Sequence, residues 1–230
     1  MLAGTQKTRP VLRYIKESVP VTRILRGEQV ANQLKELVKQ TQEKKAAQKK
    51  SGEAERYYTL SGDVNSDMVN RVFAATAKMT QQGVTTAHLL IQSHGGYVSD
   101  GICLYNYLRK AGPQFITYNC GAVASIAVIV FLAGARRIAS DTARFMIHKA
   151  HSSPPSGSRS ENLRIIADGL IADDLRTEAI MKKHLSLSSA MLKVYAQSDV
   201  HITAADALKT KLIHEIGDFS APAGSKVIDI

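Results

Sequence analysis

A serine hydroxyl is a poor nucleophile at neutral pH. It becomes one when a base touches it, an acid orients that base, and N–H donors meet the oxygen that turns negative. Four short stretches of this chain carry residue types that could supply those parts. "GAVASIAVIVFLAGARR" (121–137) holds fifteen uncharged residues, mostly small or apolar, with Ser125 near its front. "SHGGYVSDG" (93–101) carries the pair Gly95-Gly96, "ARFMIH" ends on His148, and "AQSDVHIT" contains Asp199. Each has an ordinary reading by itself. A serine in an apolar helix bonds back to its own backbone, a glycine pair makes a tight turn, a histidine at a strand end faces water, and an aspartate between helices caps or turns. The setting adds something. Ser125 follows a predicted strand and a short turn, so it falls near a predicted helix N-terminus, where free N–H groups favour negative charge. Its neighbours Ala122, Ala124 and Ala127 are small enough for another chain to approach. Gly95-Gly96 also lies between strand and helix and can present backbone N–H groups. It is no phosphate loop, because the Lys-Ser/Thr ending is absent. Ser125, His148 and Asp199 follow in an order unlike the three familiar hydrolase and protease orders.

The elements that must position these residues show in the apolar spacing. Residues 1–26 have no sustained period and contain Pro10 and Pro20, which predicts an arm. From Glu28 to Lys50 the chain is rich in helix formers, with Val30, Leu34, Leu37 and Val38 as a narrow stripe. "KQTQEKKAAQKKSGE" is polar all round, a frayed helix or linker, and Ser51-Gly52 marks a boundary. The domains expected are a partly flexible basic arm and helix over 1–56 and a larger domain over 57–230. In the latter, "YYTLSG" reads as a strand, 65–82 as a helix, "TAHLLIQS" as a strand and 97–110 as a helix. "QFITYNC" is the next strand, the 121–137 stretch a helix, and "RRIAS" and "ARFMIH" two more strands. "SSPPSGSRS" is a breaker-rich loop. A long helix then runs from Ser160 to about His184, another over 189–197, and Thr203–Asp206 is a capping box for a last short one. Alternating strand and helix make the class α/β with a mostly parallel sheet.

Composition narrows the rest. The 230 residues are 44% hydrophobic and 22% charged, enough to bury a core without staples. Cys103 and Cys120 show neither a disulfide framework nor metal spacing, and His88, His94, His184, His201 and His214 show no ligand spacing either. No metal or cofactor is expected, and the reduced cytoplasm is the default compartment. No run reaches the ~18 apolar residues of a membrane span. The net charge of +10 is uneven: residues 1–56 carry 13 Lys and Arg against 6 Asp and Glu, residues 57–230 carry 17 against 14. Tyr14 is the only aromatic in the basic lead before the boundary, so a solvated tail or assembly arm is expected rather than a nucleic-acid surface.

From Tyr58 to about Gly217 the chain resembles the proteolytic subunit of the Clp protease. "LSGDVNSDM", "IQSHGGYVSDGICLYNYL", "GAVASIAVIVFLAGARR", "ARFMIHKA" and "YAQSDVHITAADALKTKLIHEIG" match that family's motifs in order over about 160 residues. The resemblance implies the crotonase-like fold, a spiral of strand-strand-helix units with a protruding handle helix. It implies Ser125 as nucleophile, His148 as base and Asp199 as orienting acid, with the backbone N–H groups of Gly96 and Ile126 as oxyanion donors. It further implies a peptide or unfolded-protein substrate and a homo-oligomeric ring of six or seven subunits, and it leaves ring stacking and an AAA+ ATPase partner as open possibilities. The departures are specific. His94 stands where the family has proline, which puts a second imidazole near the site, there either to tune the pocket or simply exposed. Ile126-Ala127 replaces Met-Gly, and Lys149-Ala150 replaces Gln-Pro or Asn-Pro. The loop 152–160 replaces a glycine-rich strand, and Pro154 and Pro155 cannot donate backbone hydrogen bonds to an added peptide strand. Two other readings stay open: a catalytically silent ring subunit, and a crotonase-type enzyme acting on a coenzyme A thioester.

Overall fold

The computed structural model describes residues 32, 34–41 and 55–230. Chain contacts divide it into two units, Met1–Ala47 and Gln48–Ile230. In the first, residues 34–41 are helical (α1), and the stripe residues Leu34, Leu37 and Val38 are all exposed. The rest of the expected basic arm over 1–56 falls mainly outside the described residues.

The second unit is built on six parallel strands in the order β8-β5-β3-β2-β1-β9. These are β1 (Glu55–Ser61), β2 (Thr86–Gln92), β3 (Gln114–Asn119), β5 (Arg136–Ala139), β8 (Glu215–Ile216) and β9 (Val227–Asp229). Period-two patterning explains the central members. In β2, Ala87, Leu89 and Ile91 are buried while the residues between them are not. A second, three-stranded sheet has the order β4-β6-β7, from β4 (Ala122–Ala124), β6 (Arg144–Ile147) and β7 (Val200–Thr203). In it β4 and β6 run parallel, and β6 and β7 antiparallel.

The helices cover these sheets. In α2 (Ser66–Gln81), Asn65 caps the start, its side-chain oxygen accepting from the Met68 N–H at 3.0 Å, and Met68, Val72 and Met79 are buried. α3 (Val98–Leu108) packs against α4 (Ile126–Phe131) at Gly101, where an added Cβ would come within 2.3 Å of Ile126 Cγ1. All six residues of α4 are buried; each large one contributes roughly 1.5–3 kcal/mol by leaving water. α5 (Ser160–His184) differs: only Ile180 and Met181 near its C-terminus are buried. Leu163, Ile165, Ile171 and Leu175 are exposed along the rest. α6 (Ser189–Tyr195) and α7 (Ala204–Lys209) follow, the latter capped by the Thr203 hydroxyl as its sequence predicts. The α/β class and the spiral built from short strand pairs and helices hold.

One prediction needs correcting. The stretch 121–137 is not one helix. Ala122–Ala124 is strand and α4 runs only from Ile126 to Phe131, while Arg136 opens β5, as the strand expected over "RRIAS" requires. The reason lies in partners distant in sequence. The Ala124 N–H donates to Ser93 O at 2.9 Å, and Arg144 N–H to Gly121 O at 2.8 Å, so these backbone groups belong to a ladder. The helix ends by Gly134, where a side chain would strike the Thr117 hydroxyl at 2.2 Å. β7, β8 and β9 were not predicted; with two to four residues each they have no readable period.

Candidate active site

Ser125 sits at the junction of β4 and α4, as the N-cap of α4. Its φ of 56° is left-handed, a conformation that costs a non-glycine residue of order 1–3 kcal/mol and survives only when neighbours enforce it. They do so here from both sides. The Ser125 N–H donates to Met146 O of β6 at 2.8 Å, while Ala124 is bonded to Ser93. The sharp turn carries the hydroxyl out of the apolar helix and leaves it half-buried.

The glycine pair is more than a turn. Gly95 has φ 112°, and a Cβ there would lie 2.6 Å from Ser125 Cβ. At Gly96 a Cβ would lie 2.2 Å from Val64 O. Side chains are therefore excluded by direct approach of the serine and of the chain after β1. The Gly95 carbonyl accepts from the Val64 N–H at 2.8 Å, and the Tyr97 N–H donates to Val64 O at 2.8 Å. The hydrogen bonds of these loops leave the N–H groups of Gly96 and Ile126 unused among the described residues. Both residues line a cavity of about 270 Å³ that also takes in Ser125 and His148.

His148 follows β6 directly, and its Nε2 lies 2.7 Å from Ser125 Oγ. Its Nδ1 lies 3.5 Å from Asp199 Oδ1, an ion-pair distance rather than a short hydrogen bond. The antiparallel register of β6 and β7 brings this about: Ile147 pairs with Val200, so His148 and Asp199 are the residues just past that pair. The Asp199 side chain is 51% exposed and the His148 side chain 16%. Burial pushes the His148 pKa below the ordinary histidine value, the nearby His151 imidazole pushes the same way, and Asp199 and Asp174 pull against them. The ring is thus neutral at neutral pH, the state in which Nε2 can accept a proton.

The structure brings together all five residues singled out from sequence. It does not bring His94 into the site: that side chain is exposed and is not among those lining the cavity. The second imidazole belongs to His151, whose ring centroid is 4.9 Å from that of His148. Sequence reasoning passed it over; the signal was its position three residues after His148. Lys149 was noted only as a departure. Its ammonium meets Glu178 and Asp174 of α5 and lies 5.0 Å from the centroid of the Tyr195 ring. The segment 148–159, where a strand would be needed to extend the sheet toward a bound peptide, contains no strand. Among the described residues no group of three or more His, Cys, Asp or Glu could hold a metal ion.

The model of one protein family, Clp protease, matches residues 32–219. The chain is similar to the ATP-dependent Clp protease proteolytic subunit of Streptococcus sanguinis, at 25% identity over 165 residues, covering 70% of this chain and 84% of that protein. The same coverage of the Streptococcus mutans subunit is 26% identical. The subunit of Aethionema cordifolium is 32% identical over 102 residues, covering 43% of this chain and 52% of that protein.

Proposed function

The chain belongs to the Clp protease family, and from that premise we propose that it is a serine endopeptidase in which Ser125, His148 and Asp199 act as one unit. The observation that carries the proposal is the 2.7 Å approach of His148 Nε2 to Ser125 Oγ, at a serine held with φ 56°. A proton on Nδ1, facing Asp199, leaves the Nε2 lone pair directed at the hydroxyl. His148 takes the serine proton as Oγ attacks the peptide carbonyl carbon. The oxygen that becomes negative is met by the N–H groups of Gly96 and Ile126, donors each worth roughly 3–4 kcal/mol in comparable sites. His148 then passes its proton to the leaving amine, and water releases the acyl group by the same route in reverse. Ile147, Leu170 and Met181 line the adjoining cavity, which suits an apolar substrate side chain.

The proposed assembly is a ring. Ile165 and Leu175 on α5 are 69% and 65% exposed, an unusual cost for a helix that stands in water. A second subunit would cover them. An ATPase feeding unfolded chains belongs to the same proposal, from the printed names of the relatives. So does a cytoplasmic location, where the free Cys103 and Cys120 would stay reduced.

A fluorophosphonate probe tests the chemistry. Labelling should map to Ser125 and vanish in Ser125→Ala. A second reading, a silent ring subunit, draws on the 3.5 Å gap and exposure of Asp199. It is the correct one if the assembled chain neither labels nor cleaves peptides.

A further inference from the structure

We propose that Lys149 is a positioning residue whose ammonium ties the His148 segment to α5 and α6 and so holds the imidazole between Ser125 and Asp199. The inference rests on the peptidase reading above and adds a residue to it. β6 ends at Ile147, so His148 is the first residue beyond the ladder. Strand pairing therefore does not hold the backbone that carries the base. The contacts that next anchor it are those of Lys149 and Ala150. The Ala150 N–H donates to Asp174 Oδ1 at 2.8 Å. Lys149 Nζ is hydrogen-bonded to Glu178 and lies 3.7 Å from Asp174 Oδ2. One carboxylate of α5 thus grips two consecutive residues after the base.

The third anchor is Tyr195, the last residue of α6, buried at 4% exposure under the Lys149 ammonium. Four residues later the chain reaches Asp199. His148, Lys149, Tyr195 and Asp199 line a common cavity of about 450 Å³. Lys149 therefore touches the elements that set both ends of the His148–Asp199 pair. The pair partners reinforce each other's charge. The bond to Glu178 raises the Lys149 pKa, and the bond to Lys149 lowers that of Glu178, so the link persists through the neutral range.

The groups acting on His148 are Asp199 before β7, His151 beyond β6 and Asp174 on α5; the Lys149 ammonium, 3.7 Å from Asp174, partly neutralises that carboxylate. This gives the role a readout that packing alone would not. Without the ammonium, Asp174 acts on His148 uncompensated and favours the imidazolium. The acid limb of kcat/KM should then move to higher pH.

The test is steady-state hydrolysis of a fluorogenic peptide by the full-length chain, alongside fluorophosphonate labelling. Lys149→Met should lower kcat about 10- to 100-fold with KM within about twofold, and shift the acid limb upward. Lys149→Arg keeps the charge and should restore the limb and most of kcat. Glu178→Gln reaches the pair from the other side, and the double variant should be no worse than Lys149→Met alone. The inference is overturned if wild type cleaves and Lys149→Met keeps its kcat and acid limb. It is also overturned if Met and Arg variants lose activity alike in step with their melting temperature. A wild-type chain that neither labels nor cleaves overturns the peptidase reading instead, a result distinct from both.

Discussion

At the scale of single residues, the proposed catalysis turns on a hydroxyl, an imidazole and their 2.7 Å contact. Ser125→Ala removes one oxygen from a half-buried position and leaves the apolar neighbours in place. It should fold and assemble as wild type while kcat/KM for a peptide falls by at least about 10⁴-fold, and His148→Ala should match it, because such residues act as a unit. Asp199→Asn should cost less, since that carboxylate is exposed and 3.5 Å away. His151 gives a subtler expectation. Its proximity helps hold the His148 pKa down, after burial itself. Replacing it by alanine both removes that electrostatic opposition to the imidazolium of His148 and opens the site to water. Each change raises the His148 pKa, so a pH profile of kcat/KM should show the acid limb displaced upward relative to wild type.

At the scale of elements, the decisive piece is the turn from β2 into α3. Gly95 has φ 112° and stands against the Ser125 side chain. Gly95→Ala must pay for an unfavourable backbone and for a contact at 2.6 Å that neither β4 nor α4 can relieve without moving Ser125. Thermal or urea denaturation should show a loss of about 1–3 kcal/mol, and peptidase activity should fall further than stability does. A control at Gly83, also left-handed at φ 67° but with open space around a Cβ, should lose stability without a matching loss of activity.

At the scale of the whole molecule, two properties follow. The exposed apolar side chains of α5 should drive association, so light scattering should return a mass many times the 25.0 kDa of one chain. Ile165→Asp with Leu175→Asp should reduce it. The second concerns acid stability. His88, His148, His184 and His214 all have pKa values pushed below the ordinary one, burial being the first cause in each, and that of His184 falls to about 4. A depressed folded-state pKa means that the unfolded chain binds more protons below about pH 6.5. The stabilisation is complete above that pH and is lost as pH falls through the folded-state values. Melting temperature should therefore hold steady from pH 8 to 7 and drop by at least about 3 °C on acidification to pH 4.

The α/β class, the central strands, α2, α5 and the α7 cap were legible in the sequence because local chemistry settles them. Ala87, Leu89 and Ile91 alternate, Met68, Val72 and Met79 recur at helical spacing, and Thr203 stands three residues before Asp206. The residue types needed for nucleophilic chemistry were visible too, and a run of motifs in order linked them to a family. What local pattern could not determine was anything set by partners far along the chain. The split of 121–137 into strand, serine and helix comes from hydrogen bonds to Ser93 and Met146. The approach of Asp199 to His148 comes from a four-residue strand too short to show a period, pairing across more than fifty residues. The choice of His151 over His94 as the second imidazole depends on which way two loops face, and the grip of Lys149 on α5 depends on a helix packed back against the site. Spacing along a chain reports which face of its own element a residue occupies. Which other element meets that face is decided only when the core closes.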